Sequence, residues 1–262
     1  MSNSKEHFVS IVGAGKLAMH LAPALDNVGF SVREVYSRDE TRARALIAKL
    51  YGAEIRADLD FSQSSSRIFI LSVSDDAIGE MASQIILPPE AVLVHAAGSV
   101  SLAELQRSSA PHIGVFYPLQ SFSTRQIDFE NTPIFIESNT EFCHMRLVAM
   151  AKALSRAVYR LSSEERKQLH LAAVFASNFT NHMLTLAKNI MDKNGLEFSW
   201  LQPLVYETAS RAMAGDPAAS QTGPASRGNL KVLDEHLEML KDDDAAEIYQ
   251  AVSQHILDKY GQ

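Results

Sequence analysis

Residues 8–18, Phe8-Val9-Ser10-Ile11-Val12-Gly13-Ala14-Gly15-Lys16-Leu17-Ala18, decide how the rest of the chain is read. A short apolar strand runs without a break into a Gly-x-Gly-x-x-Ala turn. Lys16 to Val28 then carries Leu17, Leu21, Ala24, Leu25 and Val28 at helical spacing. This is the strand–turn–helix unit that receives a dinucleotide, and each small residue has a physical reason to be there. Gly13 permits the tight turn, Gly15 has no Cβ to keep a pyrophosphate off the backbone, and Ala18 lets the helix lie close to the strand. Unpaired N–H groups and the positive end of the helix dipole would hold the phosphates, so Gly13, Ala14, Gly15, Lys16 and Leu17 are candidate cofactor-binding residues.

Working outward, Val32 to Tyr36 reads as the second strand. In an NAD site an acid stands about 20 residues beyond the fingerprint and bonds the ribose 2′-hydroxyl. Here that position is Arg38, preceded by Ser37. A guanidinium pairs with a 2′-phosphate and a serine hydroxyl can donate to the same group, so the expected cofactor is NADP rather than NAD. The neighbouring Asp39 is read as the cap of the next helix, Asp39 to Leu50. Arg67 to Val73 is a strand buried on both faces, Asp75 to Ile85 a helix, and Ala91 to His95, Ile113 to Tyr117 and Pro133 to Glu137 further strands. Alternating strands and helices imply a parallel sheet whose ligand lies beyond the carboxyl ends of its strands. Val73, Ser74, Ala97 and Gly98 occupy such ends and complete the expected cofactor site. His95 ends a buried strand and is read chiefly as a packed core histidine.

Beyond residue 161 the pattern is helical only. Ser162-Ser163-Glu164-Glu165 has capping-box spacing and opens a long helix reaching Asn194-Gly195. Leu171 to Ala176 is apolar on every face and is expected to be buried all round. Helices over Ser199–Ala214, Leu230–Leu240 and Ala245–Tyr260 follow, with a loop from Gly215 to Asn229. The expected fold class is α/β: a Rossmann NADP-binding domain over 1–161 and an all-helical substrate and dimerisation domain over 162–262.

Composition narrows the function classes. Apolar types are 46% of the 262 residues and charged types 21%, which points to a globular chain. The net charge of −7 disfavours nucleic acid as a partner. One cysteine, Cys143, excludes an internal disulfide, and the nine histidines show no ligand spacing, so no metal is expected. No apolar run is long enough to span a bilayer and no signal peptide is read, so a cytoplasmic protein with no membrane partner is expected.

Two concentrations of polar chemistry stand apart from the cofactor turn. Asn178, Asn181 and His182 share one face of the long helix, as a helix–helix hydrogen-bond network or as catalytic and substrate-orienting groups. Arg227 lies among glycines in the loop 221–229, either solvated or positioned to clamp a substrate carboxylate or phosphate.

These residues resemble a known family. Gly13-Ala14-Gly15, Tyr36-Ser37-Arg38, Val73-Ser74-Asp75, His95-Ala96-Ala97-Gly98-Ser99, Tyr117-Pro118-Leu119-Gln120-Ser121-Phe122 and Thr222-Gly223-Pro224 look like the motifs of bacterial Rossmann-like NADP oxidoreductases. That family carries a C-terminal helical domain of unknown function. Its architecture is similar to 6-phosphogluconate and β-hydroxyacid dehydrogenases, pyrroline-carboxylate reductase and ketopantoate reductase. The resemblance implies substrate contacts from the helical domain, a homodimer, and Gln120 and Ser121 as substrate-binding candidates. β-Hydroxyacid dehydrogenases carry a catalytic lysine four residues before an asparagine on the long helix. Here Val174 and Ser177 stand four before Asn178 and Asn181. Transfer of hydride from NADPH to a small ketone or imine therefore fits better than alcohol oxidation. The rival expectation is a non-catalytic NADP-binding sensor or regulatory protein.

Overall fold

The computed structural model describes residues 7–123 and 127–261. Its middle strands are the short continuous apolar runs: β1 (Val9–Val12), β4 (Ile68–Leu71) and β5 (Val92–His95), each buried along its whole length. Such runs suit a parallel sheet covered on both faces, because no residue alternates out to water. With β2 (Val32–Tyr36), β3 (Glu54–Arg56), β6 (His112–Pro118), β7 (Ile134–Ser138) and β8 (Val158–Arg160), they form one sheet in the order β3-β2-β1-β4-β5-β6-β7-β8. β6 and β7 pair antiparallel and every other pair is parallel, so the sheet is mixed.

One apolar layer gathers Leu21 and Leu25 of α1 (Lys16–Asn27), Leu46 of α2 (Glu40–Ile47) and Leu147 and Met150 of α4 (Glu141–Leu154). The other gathers Phe61, Phe69, Leu93 and Leu105 with Ile78 and Met81 of α3 (Ile78–Gln84). The strand order turns back between β1 and β4, leaving a crevice beyond their carboxyl ends.

The strands and helices expected from the pattern are present with shifts of a few residues at their ends, and among the described residues two further strands and one further α-helix appear. β3 and β8 have three residues each and are largely polar, so no apolar period marks them. α4 does have a period: Cys143, Leu147, Met150, Ala151 and Leu154 are its buried face, and the Thr140 hydroxyl caps it by accepting from Cys143 N.

The chain forms two compact units, Met1–Ser177 and Asn178–Gln262. The long helix begins where its capping box placed it, with Ser162 and Glu165 exchanging bonds at the start of α5 (Ser163–Ala173). A π-helical segment, Val174–Phe179, precedes α6 (Thr180–Lys193), and the two units part inside it. The expected complete burial of Leu171 to Ala176 is not found: Leu171 is 54% and Phe175 62% exposed.

The second unit holds α6, α7 (Gln202–Ala214), α8 (Leu230–Met239) and α9 (Ala245–Tyr260), with the long connection 215–229 between α7 and α8. Leu233 of α8 and Ala245 of α9 are buried, His236 Nδ1 lies 2.7 Å from Tyr249 Oη, and Lys193 pairs with Asp243. Among the described residues no helix is long and apolar enough to cross a membrane.

Candidate functional site

Gly13 adopts φ +106°, and a Cβ built there would run into the Ser72 carbonyl oxygen, so the turn after β1 admits only glycine. Its N–H donates to Tyr36 O at 2.7 Å, tying the turn to the end of β2. Helix α1 starts at Lys16 with Gly15 as N-cap and no side-chain cap. Its first-turn N–H groups are therefore left for an anion, and the helix dipole favours a negative one.

Around this turn lies a cavity of about 520 Å³. Gly13, Ala14, Gly15, Lys16, Leu17, Ser37, Arg38, Val73, Ser74 and Ala97, all named from sequence as cofactor-binding, line it together. Gly98 is the exception. It is buried just beyond Ala97, against Tyr117 and His170. Sequence reading missed Tyr36, Asp39, Arg42, Ser72, Asp75 and Ala96 among the lining residues. Arg42 could have been found, since it stands one helical turn past Arg38.

The residues after β2 distinguish the two nicotinamide dinucleotides. Asp39 caps α2 by accepting from Arg42 N at 3.1 Å, and its other oxygen pairs with Arg42 Nε at 3.1 Å. The Ser37 hydroxyl accepts from Asp39 N at 3.2 Å, and Arg38 is exposed on the cavity wall. Asp39 is thus committed to its helix and to Arg42, and Arg38 and Arg42 both line the cavity. The cradle fits a dinucleotide: a glycine whose Cβ has no room, an uncapped helix start and a cationic rim.

Beside this cavity the first unit gathers a second polar group. Arg166, 1% exposed, pairs through Nη1 with Glu137 on β7 and donates through Nη2 to the Val100 carbonyl. Ser163 donates to Glu137 at 2.8 Å and accepts from Leu102 N at 3.0 Å, so one buried network joins α5, β7 and the segment after β5. One turn along α5, His170 Nδ1 lies 3.1 Å from Tyr117 Oη. Burial pushes the Tyr117 phenol above its ordinary value, with the Arg166 charge acting in the opposite sense. Asp75, on the cavity wall, accepts from the Ser99 hydroxyl. His95 is fully buried and its Nδ1 accepts from Ala97 N at 3.2 Å. Burial, reinforced by the Arg166 charge, brings its imidazole down to about 3, so it is a neutral core residue.

The remaining sequence candidates are not among the residues that line the dinucleotide cavity. Gln120 and Ser121 follow β6 and are exposed, with Gln120 Oε1 accepting from Ser121 N at 2.8 Å. Asn178 lies in the π-helical segment and Asn181 and His182 in the first turn of α6, all exposed. Their shared helical stretch is present, but the burial that would demand partners for the two amides is not. Arg227 ends a short turn, Ala225–Arg227, and is exposed. Among the described residues no cluster of three His, Cys, Asp or Glu side chains is placed to hold a metal ion.

A Rossmann-type sheet with a glycine-turn cavity at its switch point defines a dinucleotide-binding protein. Over its whole length the chain is 40% identical to the proposed NADP oxidoreductase of Bacteroides fragilis, covering 98% of this chain and 100% of that one with a TM-score of 0.89. Residues 132–256 match the family described as "Domain of unknown function (DUF2520)". The chain belongs to this family of Rossmann-like NADP oxidoreductases. It is also similar to the protein TM1727 of Thermotoga maritima, at 25% identity over 95% of this chain and 97% of that one, with a TM-score of 0.75. The reductive aminase of Aspergillus terreus, solved with NADPH and ethyl levulinate, shares the fold at 14% identity and a TM-score of 0.72, over 95% of this chain and 91% of that one. No curated protein matches the sequence.

Proposed function

We propose that the protein is an NADPH-dependent oxidoreductase that reduces a small ketone or imine. The observation that carries this reading is the rim after β2. Asp39 is held by its own helix and by Arg42, and Ser37, Arg38 and Arg42 line the cavity, an arrangement that suits a 2′-phosphate better than a bare ribose. Gly13, Ala14, Gly15, Lys16 and Leu17 would hold the pyrophosphate, and Val73, Ser74, Ala97 and Gly98 would border the redox ring. When bound, NADPH supplies the hydride; the protein supplies orientation and a site that limits water. Asn178, Asn181 and His182 are proposed to orient the substrate, with Gln120, Ser121 and Arg227 as further substrate-binding candidates. The imine-directed and NADPH-bound relatives in fold make cyclic imines and small oxo compounds the first substrates to try.

The test is binding and oxidation of NADPH by the purified protein against 2-oxo acids, aldehydes and cyclic imines. Arg38→Ala should weaken NADPH by about 10- to 100-fold, the worth of one charge-assisted bond, and leave NADH nearly unchanged. Equal losses for both would overturn the NADP assignment. Tight NADPH binding without consumption by any substrate would favour the rival reading, a non-catalytic NADP sensor. The absence of a lysine four residues before Asn178 or Asn181 keeps that rival in view.

A homodimer is part of the proposal. Leu171, Phe175, Trp200, Leu204, Tyr206 and Met213 are all more than half exposed, and a second copy would cover them. Light scattering on the eluted protein checks this. A cytoplasmic setting is proposed with it, and fractionation of expressing cells is the check.

A further inference from the structure

Along the sheet, the segments lining the cavity follow one another in strand order: Arg38 after β2, the glycine turn after β1, Ser74 after β4, and Ala96-Ala97 after β5. Tyr117, near the end of β6, is next in that series. The peptide after Ala97 brings the two together. A Cβ at Gly98 would stand 2.9 Å from Tyr117 Oη and 2.7 Å from His170 Nδ1, so the backbone at Gly98 packs directly on the Tyr117–His170 pair. Tyr117 is 9% exposed and His170 half-buried, so the phenol is sheltered while the imidazole keeps a way to water.

Other proton carriers nearby are less suited. His95 stays neutral and sealed in the core, and Asp75 is an acceptor already bonded by Ser99. Arg166 is locked in its pair with Glu137 and its bond to the Val100 carbonyl. Burial keeps the Tyr117 phenol protonated at neutral pH, which makes it a donor.

We propose that Tyr117 is the catalytic acid of this site and His170 the positioning residue that returns its proton. The inference rests on the reductase reading above. In the step, hydride forms the new C–H bond and the C=O or C=N π pair moves to the heteroatom. That atom takes the Tyr117 Oη proton, and Oη takes a proton from His170 Nδ1 as solvent delivers one to Nε2. One hydride and one solvent-derived proton are consumed, and exchange with water restores the starting tautomer of His170. The charges that act on the Tyr117 phenol are Arg166 on α5 and Asp75 after β4, and Arg166 is itself paired with Glu137 on β7.

The experiment compares wild type with Tyr117→Phe, His170→Gln and Gly98→Ala. Three quantities are read: NADPH affinity by fluorescence, steady-state reduction of the best imine or ketone, and the imidazole ¹⁵N spectrum of His170. The expected result is a loss of kcat of about 100-fold in Tyr117→Phe, in the range for a general acid, with KM and NADPH affinity held within about threefold. His170→Gln should lose less. The Nδ1 resonance should move in Tyr117→Phe and in Gly98→Ala. A purely structural bond would instead lower the melting temperature and leave kcat intact, which overturns the proposal. If wild type reduces nothing, the reductase reading fails by itself. The pairing is then judged on the ¹⁵N spectrum, and an Nδ1 signal unchanged by Tyr117→Phe overturns that as well.

Discussion

Replacing Glu137 with Gln tests whether the buried network under the site is as tightly built as its contacts indicate. The substitution keeps the shape of the side chain and removes its charge. Arg166 is 1% exposed, and its guanidinium is held by Glu137, by the Val100 carbonyl and, at 3.3 Å, by Ser163 Oγ. Breaking a buried ion pair from one side costs about 3–5 kcal/mol, because the remaining charge has lost its counterion without regaining water. Glu137 keeps 18% side-chain exposure, and a glutamine carbonyl still accepts from Nη1, so the lower part of that range applies. A loss of about 3 kcal/mol corresponds to a fall in melting temperature of roughly 6–12 °C in a chain of this size. Calorimetry is the suitable assay, because the single tryptophan, Trp200, lies in the second unit and its fluorescence would report on the wrong part. The double replacement Glu137→Leu with Arg166→Met should recover most of the loss, since it removes both charges. A Glu137→Gln protein melting within 2 °C of wild type would refute the argument that this pair holds α5 to the sheet. Because His170 stands one turn after Arg166 on α5, the same variant should also disturb the His170 ¹⁵N signal.

Three further outcomes follow from the first unit. Cys143 is buried, its thiol donates to Ile113 O at 3.4 Å, and burial pushes it up to about 12. Alkylating reagents at pH 8 should therefore leave it unmodified in the folded protein and label it on unfolding; rapid labelling of native protein would contradict its burial. His95 titrates near 6.5 when unfolded and is lowered to about 3 when folded, so between those values the unfolded chain binds a proton that the native one does not. Its contribution to stability is complete above pH 6.5 and falls by up to about 1.4 kcal/mol per pH unit as pH drops toward 3. Denaturation of His95→Asn should show a shallower acid slope, and an identical slope would remove His95 from the account. Gly13→Ala places a methyl group against the Ser72 carbonyl at φ +106°, and should abolish NADPH binding or folding; unchanged affinity by titration calorimetry would mean the turn is looser than described.

Chain-local chemistry explains what could be read early. The Gly13–Ala18 turn, the Asp39 cap, the Ser162–Glu165 capping box and the limits of α9 all depend on residues a few positions apart, whose preferences survive any tertiary setting. The dinucleotide cavity was legible for the same reason: each lining segment is a strand end, and strand ends are marked by where apolar runs stop. The polar face of Asn178, Asn181 and His182 was legible as a pattern, but its exposure was not. Periodicity shows which side of a helix wants cover, not what supplies it.

The remainder depended on distance along the chain. Tyr117 and His170 are separated by 53 positions and Glu137 and Arg166 by 29, and nothing in either stretch announces its partner. Alone, Arg166 and His170 read as two polar residues in an unremarkable helix start. Only the pairing of β6 with β7, and the seating of α5 over them, turns them into a buried ion pair and a phenol–imidazole contact. The sequence by itself determined a glycine turn, a cationic rim and the succession of strands and helices, because backbone sterics and local hydrogen bonds act within a few residues. Which titratable groups meet beside that turn was decided by the assembled sheet, because burial and charge depend on neighbours that only the folded chain brings within reach.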